Sequence, residues 1–489
     1  MRLINTRTLG VEVFDGDSVP RYAILSHTWD YDEASLRGWT EQYGSLLTLT
    51  RGGYAKVHMA RGQALNDGIE YLWADTVCID RTSLAEVSEA INAMFAWYRD
   101  AYVCYAHLSD VGDSEDDTVA DTAEMMSDFS RSWWFTRGWT LQELLAPARV
   151  VFYSRFWTRL GTKHDLAGRV ARITGIDEQF LHGAPLGQAS VAKRMSWMAR
   201  RRTTRPEDLA YSMMGIFEIN MPLLYGEGRK AFMRLQAEIM KQSTDETLFC
   251  WSSSDDTPSD WVQLLAPSPS SFASSSRYEP ATMAIAQSSY KLTNLGVKIS
   301  LAITTFWTLH FGVLNVLGPN KAPVGIALEG HPAKGIFWRA SFPPGPIELP
   351  QTGYCGRTYS TNSGFGGAAL SRKDVCILSR MPKSAAATAA MTRSSPHSWM
   401  EDRGARSALK YAVMVSFLDR SAVQAIETVP ARMFDDRTSV LALQQSTRRR
   451  GIYGGIIQLR VPRSRITMRF LLAVNANGRP FCIIITGIV

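Results

Sequence analysis

Four short apolar runs in the first 155 residues, each separated from the next by a helix-length segment, leave few folds open to this chain. Tyr22–Ser26 (YAILS), Tyr71–Ile79 (YLWADTVCI), Tyr102–Leu108 and Arg149–Tyr153 (RVVFY) read as buried strands. Between the first two, Tyr54–Asp67 has a helical pattern that stops at Gly68. Before the third, Ser83 followed by Glu86 is a capping-box signature, and Val87, Ile91, Met94 and Tyr98 continue the helix. Strands separated by helices require crossovers, so residues 1–155 are expected to form an α/β unit: a mostly parallel sheet with helices on both faces.

In such a sheet, ligands sit beyond the carboxyl ends of the strands. That rule selects Ser26, His27, Trp29 and Asp30 after the first strand and Asp80 after the second. Asp75 joins them if its strand ends early. Each has a plainer reading: His27 caps the strand, Ser26 bonds to backbone, and Asp80 begins the turn before the next helix. Cys78 could suggest a thiol nucleophile, but a cysteine in a buried strand is usually inert.

The segment Arg131–Pro147 (RSWWFTRGWTLQELLAP) brings a single carboxylate, Glu143, into a run rich in tryptophan and leucine. Helical spacing puts Trp139 and Glu143 on one face, with Leu141, Leu144 and Leu145 towards the other. Two readings fit this stretch: a carboxylate held in a partly dry site, or a core helix whose one Glu is solvated or paired with Arg131 or Arg137.

Composition excludes several classes. With 489 residues, 45% hydrophobic and 20% charged, the chain suits two or three globular domains. No apolar run reaches the ~18 residues of a transmembrane helix, and MRLINTRTLG lacks the apolar core of a signal peptide, so a cytoplasmic protein is expected. Cys78, Cys104, Cys250, Cys355, Cys376 and Cys482 have no CxxC spacing, which argues against a disulfide framework and against a metal site. The net charge of +7 is concentrated at Lys193–Arg205 and Arg448–Arg450, without any specific nucleic-acid motif. Neither a phosphate loop nor a GxGxxG fingerprint is present, and Gly364–Gly367 reads as a loop.

Residues 156–245 are expected to be a helical segment packed on the first unit. Helices are marked by Val191, Met195 and Met198, by Pro206 with Glu207 and Asp208, and by Phe232, Leu235 and Ile239. Arg200, Arg201 and Arg202 either meet the acidic groups of the first unit or face solvent. Met221–Gly228 (MPLLYGEG) reads as a connector. Residues 246–489 begin Ser/Pro-rich and continue as short alternating runs: a β-rich domain, with a sandwich as one arrangement, a flexible stretch near 384–407 and a terminal hairpin turning at Asn475–Gly478.

YAILSHTW (22–29), WADTVCID (73–80), AEVSEAINAMFAWYRDA (85–101) and RGWTLQELLAP (137–147) resemble the blocks of the fungal heterokaryon incompatibility (HET) domain. Residues 190–241 resemble the helical segment that follows it in HET-E-type proteins. Asp30 departs from the glycine usual after the Trp. The nucleotide-binding and WD-repeat regions of larger HET-E relatives are not seen here. The resemblance implies a role in fungal non-self recognition and induced programmed cell death, with self-association or other incompatibility proteins as partners. HET domains are in turn similar to TIR domains, which have a flavodoxin-like sheet; some of these cleave NAD with one glutamate. RGWTLQELL resembles the block in which plant TIR domains carry that residue, and Glu143 matches it. The resemblance therefore implies a TIR-like NAD hydrolase site with no cofactor and NAD as candidate substrate. Glu143 would be catalytic, and Ser26, His27, Trp29, Asp75, Asp80 and Trp139 would bind substrate. The alternative is a non-catalytic module that signals by self-association or partner binding.

Overall fold

The computed structural model describes residues 1–29, 32–42, 52–112, 122–253, 257–258, 261–281, 290–306, 309–340, 345–348 and 373–379, with seven strands between 409 and 486. The first sheet contains β1 (Arg2–Asn5), β2 (Val11–Val13), β3 (Tyr22–His27), β4 (Tyr71–Trp73), β5 (Val103–His107), β6 (Val150–Tyr153) and β7 (Arg159–Thr162). Their order is β2-β1-β4-β3-β5-β6-β7. The four strands expected from sequence are its parallel members: β3 lies between β4 and β5, and β5 pairs with β6. Counted among themselves they run 2-1-3-4, the strand order of a flavodoxin-like sheet, whose switch point lies between the first and third. Those two strands are β3 and β5. The hairpin β1–β2 and the edge strand β7 add antiparallel pairings that short, half-exposed runs did not announce.

All six residues of β3 are buried, as a central parallel strand requires. Helices cover both faces. Ser26 points to the face that carries helices Leu84–Asp100 and Thr140–Leu145, where its hydroxyl meets Glu143. Tyr105, beside Leu25 in the register, points to the other face and donates to Asp67 at the end of helix Gly52–Asn66 at 2.6 Å. β4 is shorter than expected. It stops at Trp73, and Asp75–Cys78 forms a single helical turn that takes Asp75 out of the sheet.

The helical segment is present as Ala167–Thr174, Glu178–Leu181, Val191–Met198, Asp208–Tyr211 and Lys230–Gln242. Its apolar faces join the same hydrophobic core as the sheet. The Ser/Pro-rich stretch that follows is largely an ordered loop: Leu264, Leu265, Ala266 and Phe272 are buried, and Gln236 exchanges two hydrogen bonds of 2.9 Å with the Ala266 backbone.

Beyond it, strand Gly296–Phe306 pairs with Leu309–Leu317, which pairs with Pro323–His331. The path continues through Ile336–Arg339 and Lys373–Leu378 back to Gly296–Phe306. Five strands therefore close a ring, where the sequence suggested a sandwich. Met1–Gln351 and Thr358–Arg380 form one compact unit; Thr352–Arg357 and Met381–Val489 form a second. Within the second, Thr467–Val474 and Pro480–Thr486 pair antiparallel as a hairpin. Its turn at 475–478, the stretch 384–407, Gly364–Gly367, Asp30, Cys355 and Arg448–Arg450 lie outside the described residues, whereas Cys482 lies in the strand Pro480–Thr486. No helix among the described residues is long and apolar enough to cross a membrane.

Candidate functional site

The helix that carries Glu143 is only six residues long, Thr140–Leu145, too short to persist without tertiary support. Thr140 Oγ1 donates back to Trp134 O at 2.5 Å, tying the helix start to the preceding turn. Gly138 lets the chain pass against the next layer: a Cβ there would sit 2.4 Å from Thr203 Cγ2, and its N–H donates to Arg202 O at 2.8 Å. Leu141 and Leu144 are fully buried. At the other end, Lys163 donates to Leu144 O at 3.1 Å and Pro147 O at 2.5 Å, a cation at the negative end of the helix dipole. Burial holds that ammonium down at about 8.

Glu143 lies beneath the carboxyl end of β3, 7% exposed. Ser26 Oγ donates to its Oε2, and the Tyr98 hydroxyl, which donates to Leu25 O at 3.2 Å, lies close to the carboxyl. Trp134 Nε1 in turn donates to Ser26 Oγ at 2.9 Å. Burial pushes the carboxyl up to about 8. The Ser26 bond opposes that rise, the negative Asp75 adds to it, and Tyr98 and Arg137 oppose it. At neutral pH the carboxyl is therefore mostly protonated, and a cation brought beside it would release its proton.

A second layer sits on the ends of β3 and β4. The His27 ring is buried, with Nε2 3.4 Å from Glu33 Oε2 and Nδ1 3.9 Å from Asp75 Oδ1. Lys56 Nζ lies 2.5 Å from Glu33 Oε1 and donates to Thr28 O at 3.0 Å. Burial alone would push Glu33 up, but His27 and Lys56 outweigh it and hold the carboxyl at about 2. Asp75 accepts from Trp29 Nε1 at 2.9 Å and pairs with Arg81 at 3.5 Å. The guanidinium of Arg81 lies 3.7 Å over the indole of Trp29, which is half exposed. The arrangement runs from an exposed aromatic and cation at the rim to carboxyls inside.

Ser26, His27, Trp29, Asp75 and Glu143 are thus gathered around the carboxyl ends of β3 and β4. Asp80 is turned to Thr82, whose N and Oγ1 it accepts at 2.9 and 2.7 Å, so it starts the turn before the helix. Ser83 caps that helix, but Glu86 closes no box; it accepts from Asp80 N at 2.8 Å and pairs with Arg2. Trp139 is the residue before the Glu143 helix, and its indole donates to Asp208. The indole that supports the Ser26–Glu143 pair is that of Trp134. Arg131 pairs with Asp128, leaving no ion pair between it and Glu143. Cys78 is buried and pushed up to about 12 by that burial, which makes it an inert thiol. Among the described residues no group of three or more His, Cys, Asp or Glu could hold a metal ion.

Tyr98, Trp134, Glu33, Lys56 and Arg81 were not singled out from sequence. Tyr98 fits the helical periodicity so well that core packing explained it, and Trp134 is one of three tryptophans in its stretch. Glu33 and Lys56 had no signal at all, since only the fold brings them to His27.

The family model for heterokaryon incompatibility protein (HET) matches residues 22–124. Over 224 residues the chain is 46% identical to the vegetative incompatibility protein HET-E-1 of Podospora anserina. That stretch is 46% of this chain and 16% of the relative, so the chain spans less than a fifth of that protein's length. No solved structure matches.

Proposed function

We propose that this chain, which carries a heterokaryon incompatibility domain and is HET-E-like over the matched stretch, acts in fungal non-self recognition and kills the cell by cleaving NAD at Glu143. One observation carries the chemical part: the lone carboxyl of the Thr140–Leu145 helix is held by Ser26 at the carboxyl end of β3, beside the sheet's switch point. The matched family segment ends at residue 124, before Glu143, so the support for this residue is geometric.

Hydrolysis breaks the C–N bond between nicotinamide and ribose. The bonding pair leaves with nicotinamide, which departs neutral, and water adds to the sugar carbon with loss of a proton. Positive charge develops on the ribose, as in other glycosidic cleavages, and an ionised carboxylate beside it lowers the barrier. Glu143 is mostly neutral without ligand, but the pyridinium of NAD is a cation. Its arrival favours the carboxylate, so binding and deprotonation are linked. In this reading the half-exposed Trp29 indole is the stacking face, Ser26 and His27 hold hydroxyls, and the carboxyls of Asp75 and Glu33 meet the cationic end of the substrate. The burial of Glu143 also supports a second reading, in which the carboxyl only braces the sheet and the domain signals through self-association or a partner.

Expression of the full chain in a filamentous fungus separates the two. The catalytic reading expects growth arrest with the native sequence and normal growth with Glu143→Gln at matched protein levels. Equal killing by the two would leave only the non-catalytic reading.

A further inference from the structure

Arg201 is buried to 6% exposure, yet it comes from the helical segment and not from the sheet unit. Its Nη1 donates to Arg137 O at 2.8 Å and Thr140 Oγ1 at 2.9 Å, and its Nε donates to Trp197 O at 3.3 Å. Those partners place the guanidinium at the first turn of the Glu143 helix. The position is unfavourable on its own account. Burial strips water from the cation, and the start of a helix presents the positive end of the dipole. Its Nη2 is buried without a hydrogen-bond partner. Burial drives the guanidinium down to about 9, and the attraction that opposes this comes from Glu143.

We propose that Arg201 is a positioning residue for Glu143: the helical segment supplies the buried positive charge that holds the carboxylate form in place once it ionises. A purely structural anchor could use neutral donors to the same two oxygens. What sets Arg201 apart from a cation that only anchors carbonyls is its unused Nη2 donor together with the attraction of Glu143, the acid on the adjacent turn. On this view the site is completed by residues beyond the matched family segment. The inference meets the catalytic reading only in its consequence, because the charge pairing can be tested without any nucleotide.

The other titratable groups facing Glu143 are Asp75, Tyr98, Cys104 and Arg137, with Ser26 as its neutral bonding partner. The test is the pH dependence of unfolding of the full chain, measured between pH 5 and 10 for the native protein, Arg201→Gln and Arg201→Lys. Each is also made with Glu143→Gln, and the difference within each pair isolates the Glu143 titration. With Arg201→Gln, that titration should move up by about one pH unit or more, the usual effect of losing a nearby opposite charge. With Arg201→Lys it should stay near the native position. An unmoved titration in Arg201→Gln, or equal shifts in the Gln and Lys variants, would overturn the proposal. If Arg201→Gln does not fold, Arg201→Lys decides: a folded Lys variant with the native Glu143 titration supports charge pairing, and failure of both variants to fold assigns Arg201 a structural role only. Nicotinamide release is a separate measurement, so a chain that shows the pairing but cleaves no NAD rejects the catalytic reading alone.

Discussion

Glu143 is a carboxyl that folding turns into a weak acid. Its folded value of about 8 lies above the ordinary carboxylate range. The folded state therefore binds a proton that the unfolded chain has already lost between about pH 4.5 and 8. The stability this contributes is complete below the unfolded value and disappears as pH rises through the folded one. Stability is expected to fall across that window, with a limiting slope of about 1.4 kcal/mol per pH unit from this group. Glu143→Gln, close in shape to the neutral carboxyl, should remove that slope, leaving stability below about pH 4.5 little changed and raising it near pH 6 by about 2 kcal/mol; a slope that survives the substitution would show that other groups produce it. Ser26→Ala removes the donor to Glu143 and strands the buried Trp134 indole N–H. The expected cost is about 1–3 kcal/mol in denaturant unfolding, with the Glu143 titration displaced upward. A cost below ~0.5 kcal/mol would mean that the Ser26 bonds are not formed in solution. At this scale Glu143 could be picked out because it is the only acid in an apolar stretch. Tyr98 and Trp134 could not, because a core aromatic and a site aromatic leave the same periodicity.

The element that matters most is the six-residue helix Thr140–Leu145, and both its ends are fastened by buried cations from outside the parallel strands. Lys163→Met would leave the carbonyls of Leu144 and Pro147 without their donor in a dry environment. A loss of about 1–3 kcal/mol in thermal or denaturant unfolding is expected, whereas the same change at exposed Lys241 should be near neutral. A near-neutral Lys163→Met would show that water replaces the ammonium. The four parallel strands were legible because continuous burial writes continuous apolar runs. The end of β4 was not: Ala74, Val77 and Cys78 are buried in a helical turn as fully as they would be in a strand, so the apolar run continues past Trp73. That turn is what brings Asp75 to His27 and Trp29. Trp139 was misplaced for a similar reason. Helical spacing set it beside Glu143, but it precedes the helix and is drawn away by Asp208, a partner 69 residues further on.

In the larger compact unit, the sheet, the helical segment and the five-strand ring share one hydrophobic core, so the segment that donates Arg201 and Lys163 is part of the sheet unit's support. Family resemblance was readable in YAILSHTW and WADTVCID, and the heterokaryon incompatibility model matches residues 22–124, which contain both. The ring escaped the sequence reading because its closure depends on which strands meet, and alternating runs do not encode their neighbours. The central claim, that Glu143 is the reactive carboxyl of an NAD-cleaving site, is tested most directly by nicotinamide release from NAD by the purified full chain. The native protein should release nicotinamide, faster at pH 8 than at pH 6 as Glu143 ionises, and folded Glu143→Gln should be slower by roughly 100- to 1,000-fold or more. No release by the native protein, or undiminished release by the folded Gln variant, would contradict it.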